Sequence, residues 1–214
     1  RCLTSKLYQY LKENYEENDP IILAELKIKD MTENNIRQQL KKLTDEGMIK
    51  RFDKGIYYFP RKSIFQSGSL PSIEKVLEYK YLRDKNQLCG YVSGQLFFNQ
   101  IGLSTQVPMQ YEIVSNKATT DYRETVLAQS RIIIRSPKVP VTEQNYTILQ
   151  FLDLMKDVDL YSEISGKELQ ERLFKYLRTI NLKISDLEPY FTYYPDKLYR
   201  NLIETKVIYN DLLA

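Results

Sequence analysis

Between residues 31 and 59 the apolar positions change period. Ile36, Leu40 and Leu43 recur at i, i+4 and i+7, the buried stripe of an amphipathic helix. Thr32 stands where an N-cap hydroxyl accepts a first-turn N–H, and Gly47 where the chain turns left-handed to leave the helix. Asn35 occupies the place that Glu or Gln takes in a full capping box, so the cap is half of that motif. Two β-rich runs follow, 48–52 and 56–59. They are joined by Asp53-Lys54-Gly55, which predicts a hairpin with a bulge. Upstream, Leu3, Leu7, Tyr10 and Leu11 predict a first helix over about 3–16. Asp19-Pro20 reads as the start of a short second helix carrying Ile22, Leu23 and Leu26. Helix, helix, turn, helix and hairpin within sixty residues is the layout of a winged helix-turn-helix.

After residue 62 the pattern loosens. Pro60 and Pro71 bracket a linker, 63–71, with Ser67-Gly68-Ser69 as its loosest point. A second body is predicted from Ser72. Ile73, Val76, Leu77 and Tyr81 give a helix to about residue 85, and 93–101 a shorter one closed by Gly102. Strands are predicted at 111–115, 125–128 and 131–135. Thr142 caps a helix carrying Ile148, Leu149, Leu152 and Met155. From about residue 160 the tail reads as helical to the end, with stripes at Leu169, Leu173 and Leu177 and at Leu198 and Leu202. The fold class is therefore α+β: a winged helix over 1–62, then an α+β body over 72–214 with a helical C-terminal tail.

The face opposite the stripe of the 32–47 helix carries Asn34, Arg37, Gln38 and Lys41, with Lys42 at its edge. Cations pair with phosphate or guanine, and Asn or Gln bonds adenine bidentately in the major groove. Thr32 and Asn35 place the helix start near phosphate, and Arg51 and Lys54 put cations on the hairpin. Arg61 and Lys62 follow within reach of the backbone. Charge is distributed to match. The whole chain carries only +3, yet residues 27–62 hold ten basic against five acidic side chains. The second reading of the same face is a solvated helix on a winged helix that serves only as a scaffold for protein or RNA contacts.

Composition removes several chemistries. There is no histidine, which excludes Ser-His-Asp and Cys-His catalysis and histidine zinc sites. Two distant cysteines, Cys2 and Cys89, make neither a disulfide framework nor a metal motif and fit a reducing cytoplasm. No apolar run is long enough to span a bilayer. Ser93 within Gly90-Tyr91-Val92-Ser93-Gly94 has the wrong spacing for a nucleophile elbow and reads as a helix cap. Glu78-Tyr79-Lys80 echoes a nuclease triplet but falls mid-helix. The expectation is a non-enzyme with no metal and no cofactor. Lys117, Arg123, Arg131, Arg135 and Lys138 are a possible second surface for nucleic acid or an acidic partner. The alternative is strand edges guarded by charge.

Three stretches carry a family resemblance that spans most of the chain. Gly90-Tyr91-Val92-Ser93-Gly94-Gln95, followed by Gly102-Leu103-Ser104-Thr105-Gln106-Val107-Pro108, resembles the middle domain of AbiEi-type antitoxins. The 53–60 segment is similar to that family's wing, which maps onto Lys54 and Gly55. Tyr194-Pro195 with the helix after it is similar to its C-terminal helices. The resemblance implies a bacterial type IV toxin–antitoxin system. In that family the winged helix represses the operon, binding double-stranded DNA at its own operator, as a dimer where sites repeat. The body counteracts a nucleotidyltransferase toxin.

Overall fold

The computed structural model describes residues 5–61 and 69–210. Leu3, Cys2, Lys62 and most of the expected linker lie outside the described residues. The chain divides into two compact units, 1–80 and 81–214.

In the first unit, α1 (Lys6–Asn14) starts where the Ser5 hydroxyl accepts the Tyr8 N–H, and it buries Leu7 and Leu11 completely. The expected second helix is not formed. Ile21 and Ile22 are strand β1, paired antiparallel with Tyr57 and Ile56, and only a single 3-10 turn, Leu23–Glu25, follows. Two adjacent β-branched residues both bury as strand, because a partner strand offers hydrogen bonds that an isolated short helix cannot match. Asp19 does not cap a helix: its carboxylate accepts the Glu16 N–H and closes a turn.

α2 (Glu33–Asp45) follows its sequence pattern. Thr32 Oγ1 accepts the Asn35 N–H, and Ile36, Leu40 and Leu43 are buried. Gly47 leaves the helix at φ +72°. The hairpin comprises β2 (Lys50–Asp53) and β3 (Ile56–Tyr58), with the register shifting between Arg51 and Asp53, so Phe52 bulges and Lys54-Gly55 forms the tip. β3 is central in the order β1-β3-β2. α3 (Ile73–Leu77), where the second body was expected to begin, is counted in the first unit. There Lys75 pairs with Asp19 at 2.7 Å. The helix does not run on to residue 85 but widens into a π-helical turn, Glu78–Leu82.

The second unit opens with a short hairpin, β4 (Arg83–Asp84) and β5 (Gln87–Leu88). Then come β6 (Gly90–Ser93), α4 (Gly94–Gln100), β7 (Gln110–Ser115), β8 (Tyr122–Leu127) and β9 (Ser130–Arg135). They form a mixed sheet in the order β6-β7-β9-β8, with β7 and β9 parallel. Two glycines of the 90–95 motif have steric reasons. A Cβ on Gly90 would stand 2.5 Å from the Val114 carbonyl oxygen. Gly94 has φ +66° with the Glu112 carboxylate 2.7 Å from where its Cβ would be. α5 (Tyr146–Tyr161) follows a turn in which Thr142 Oγ1 accepts the Asn145 N–H. The tail is α6 (Gly166–Thr179), α7 (Ile184–Leu187), a 3-10 stretch over Glu188–Tyr193, α8 (Lys197–Glu204) and a last 3-10 turn. Its core joins Phe151, Leu152 and Met155 of α5 to Leu173, Leu198 and Leu202. The α+β class is thus observed. Among the described residues no helix is long and apolar enough to cross a membrane.

Candidate nucleic-acid interface

Asn34, Arg37, Gln38, Lys41 and Lys42 are all exposed, and the i, i+3, i+4, i+7 spacing puts the first four on one side of α2. Burial of Ile36, Leu40 and Leu43 sets that orientation: once the apolar stripe is in the core, the polar side has nowhere else to point. Arg37 is not free in solution. Its Nη2 lies 2.6 Å from Glu33 Oε1 one turn earlier, with both side chains more than half exposed. Lys42 sits 3.9 Å from Glu46. Asn35 Oδ1 accepts the Gln39 amide, so its side chain is engaged along the helix, while its backbone N–H is taken by Thr32. The Lys41 amine has no acidic partner among the described residues, and neither does the Lys54 amine at the exposed hairpin tip. Arg51 turns back on the hairpin, its Nε donating to the Asp53 carbonyl at 3.2 Å. Arg61 lies 4.0 Å from Glu17. Lys27 and Lys29, counted in the basic 27–62 stretch, are exposed just ahead of α2.

The five cations of the second unit do not form one surface. Arg131 and Arg135 share a sheet face, because Val126 pairs with Arg131 and Tyr122 with Arg135. Arg123 pairs with Ile134 and points to the other face. Arg131 is engaged by Glu124 through two nitrogens, at 2.6 and 3.1 Å. Glu124 also accepts the Tyr122 hydroxyl, and these two hydrogen bonds hold its carboxyl below the usual range. Arg135 lies over the Tyr122 ring, 5.0 Å from its centroid. Arg123 reaches the Tyr81 hydroxyl at 3.5 Å. Lys117 is half-buried and Lys138 exposed.

Several polar side chains of the second unit outside these cations are tied into its own structure. Cys89 is buried and its thiol lies 3.3 Å from the Tyr81 carbonyl. Ser104 is buried, accepting from the Gln95 side chain and the Gln106 N–H, and Thr105 donates its N–H and hydroxyl to Glu163. Ser93 precedes α4 without capping it through its side chain. No group of three or more His, Cys, Asp or Glu among the described residues is placed to hold a metal ion.

The sequence reading missed a polar cleft of about 590 Å³ in the second unit. It is lined from β6, the first residue of α4, β7, the last residue of β9, α5 and the start of α8, and by residues just before β8 and just after β9. At one wall the Tyr91 hydroxyl donates to Asp153. Burial pushes the Asp153 carboxyl up, against the pull of Tyr91 and Lys156. Burial and the charge of Asp153 push the Tyr91 phenol well above its ordinary value. The available signal was Asp153, Lys156 and Asp157 at i, i+3, i+4 on a helix that is mostly apolar.

None of the curated proteins compared with the chain matches it. A family model described as a family of unknown function, DUF6088, matches residues 11–146, more than half of the chain. The matched segment begins within α1 and ends at the first residue of α5, so it contains both the exposed side of α2 and the four-stranded sheet. The chain belongs to the DUF6088 family.

Proposed function

We propose that the first unit is a winged helix domain and that the protein is a sequence-specific transcriptional repressor, a non-enzyme serving as the antitoxin of a type IV toxin–antitoxin system. The observation that carries this reading is the exposure of Asn34, Arg37, Gln38 and Lys41 on one side of a helix whose other side is buried. The order α1, β1, turn, α2, β2, β3, with the hairpin following the exposed helix directly, supports the winged helix part. The resemblance of the 90–108 segment to AbiEi-type antitoxins supports the rest.

In this mechanism α2 enters the major groove. Asn34 and Gln38 bond base edges, Arg37 takes guanine or phosphate, and Lys41 and Lys42 take phosphate. The start of the helix, at Thr32 and Asn35, lies against the sugar-phosphate backbone, where its dipole favours negative charge. Lys54 on the wing reaches the backbone or the adjacent minor groove, with Arg51 behind it. Repression follows from occupying the promoter, with two copies on a repeated operator. The second unit opposes a nucleotidyltransferase toxin, and the whole works in the cytoplasm without metal or cofactor.

The test is an electrophoretic mobility shift with the DNA immediately upstream of the protein's own gene, at low ionic strength. Arg37→Ala is expected to weaken binding by about 1–3 kcal/mol, roughly 5- to 150-fold, because one base or phosphate contact is lost. With Arg37, Lys41, Lys42 and Lys54 as phosphate contacts, log K should fall with log salt at a slope of about −3.6 per copy. A protein that ignores this DNA, or an Arg37→Ala variant that binds as tightly as the parent, removes the reading.

A further inference from the structure

The cleft of the second unit is not used by the DNA reading, and its chemistry is specific. Registers put Tyr91, Ser93, Glu112, Val114 and Arg135 on one sheet face, and that face forms one wall. α5 supplies Asp153, Lys156 and Asp157 opposite, and Lys197 comes from the first residue of α8. Four cations line the space, Arg135, Lys138, Lys156 and Lys197, with four acids, Glu112, Asp121, Asp153 and Asp157.

The pairing among them is uneven. Asp157 serves two lysines, Lys197 at 2.7 Å and Lys156 at 3.6 Å. Asp121 accepts the Ser136 hydroxyl at 3.0 Å, and Asp153 accepts the Tyr91 hydroxyl. Among the described residues Glu112 takes only the Gln110 amide, at 3.2 Å, and it is held against Gly94. Arg135 and Lys138 therefore face the cleft without a carboxylate at salt-bridge distance among the described residues, and Lys156 has only a share of one. Cations left without carboxylates call for an anion. A carboxylate such as Glu112, with acceptor capacity to spare, calls for hydroxyl or amine donors. The volume suits a small molecule, since ligand sites run from about 300 to 1,000 Å³.

We propose that this cleft binds a small phosphorylated polyol, with its phosphate on Arg135, Lys138 and Lys156 and its hydroxyls donated to Glu112 and Asp153. A phosphate monoester carries about −1.5 to −2 charges at neutral pH, which matches more than one unpaired cation. A planar guanidinium already seated over the Tyr122 ring loses little freedom in taking two phosphate oxygens. The site is independent of α2, so it stands or falls separately from DNA binding.

The test is isothermal titration calorimetry of the full chain with ribose 5-phosphate, unphosphorylated ribose and inorganic phosphate. Ribose 5-phosphate is expected to bind at least about tenfold more tightly than either of the others, in the millimolar range or better. Arg135→Gln with Lys138→Gln should weaken ribose 5-phosphate by about tenfold or more while leaving the circular dichroism melt unchanged. Glu112→Gln should weaken ribose 5-phosphate and leave inorganic phosphate as it was. No heat with ribose 5-phosphate overturns the proposal. So does equal affinity for ribose 5-phosphate and inorganic phosphate, or a double variant that binds like the parent.

Discussion

The ion pair between Glu33 and Arg37 makes a prediction in which affinity and stability move in opposite directions. The perturbation is Glu33→Gln. In the free protein Glu33 Oε1 holds Arg37 Nη2 at 2.6 Å, at the edge of the side proposed to face DNA. Contacting a duplex means breaking that pair, which for exposed partners costs about 0.3–0.5 kcal/mol. Glu33 also brings a negative charge to a phosphate-rich surface, a repulsion of about 1 kcal/mol at 4 Å in water before salt screening. Removing both terms should tighten binding by about 1 kcal/mol, roughly fivefold. Stability should fall. Glu33 is the first residue of α2, where a negative charge favours the helix dipole by about 0.3–1 kcal/mol, and the i, i+4 pair adds about 0.2–0.5. The assay is fluorescence anisotropy with a labelled operator duplex, run beside urea unfolding of the same preparation. A Glu33→Gln protein that loses the expected stability but binds DNA no more tightly than the parent would show that this side of α2 does not meet the duplex.

Other outcomes follow from the same structure. Burial alone pushes the Asp19 carboxyl up, but hydrogen bonds from Lys75 and the Glu16 backbone and the charge of Lys75 outweigh it and hold the group below its ordinary value. Its stabilisation is therefore complete above the unfolded-state value near 3.9 and is lost as pH falls through the lower folded value. Lys75→Met should lower stability by about 1 kcal/mol at neutral pH, since the lysine is partly exposed, and flatten the acid limb of urea midpoint against pH. Tyr91→Phe removes a hydroxyl that donates to the Asp153 carboxyl and should cost about 1–3 kcal/mol, read by denaturant unfolding. Gly94→Ala meets both a left-handed backbone and the Glu112 carboxylate, and should lower the melting temperature by several degrees, at a cost of about 1–2 kcal/mol.

Long-period patterns were readable from the chain alone. α2, its cap, its exit glycine and its hairpin all stood in the sequence, because each rests on residues within four positions of one another. α1, β7, β9 and the tail helices were legible for the same reason. The second helix of the first unit was misread, since Ile22, Leu23 and Leu26 fit a helical stripe equally well. What decided was β3, more than thirty residues away, which offered Ile21 and Ile22 a strand partner. β6 went unnoticed because Gly90-Tyr91-Val92-Ser93 has no alternation. Its need for glycine comes from the Val114 carbonyl on the neighbouring strand.

The candidate sites divide the same way. The sequence by itself determined the amphipathic face of α2, since one helix fixes the relation between its own buried and exposed sides. It could not decide among Arg123, Arg131 and Arg135, because the register of two strands settles which residues share a face, and that register sent Arg123 away from the other two. The cleft lay beyond local pattern altogether. Its carboxylates and cations come from positions 112 to 197 and meet only through the sheet order and the packing of α5, which are properties of contacts between distant segments.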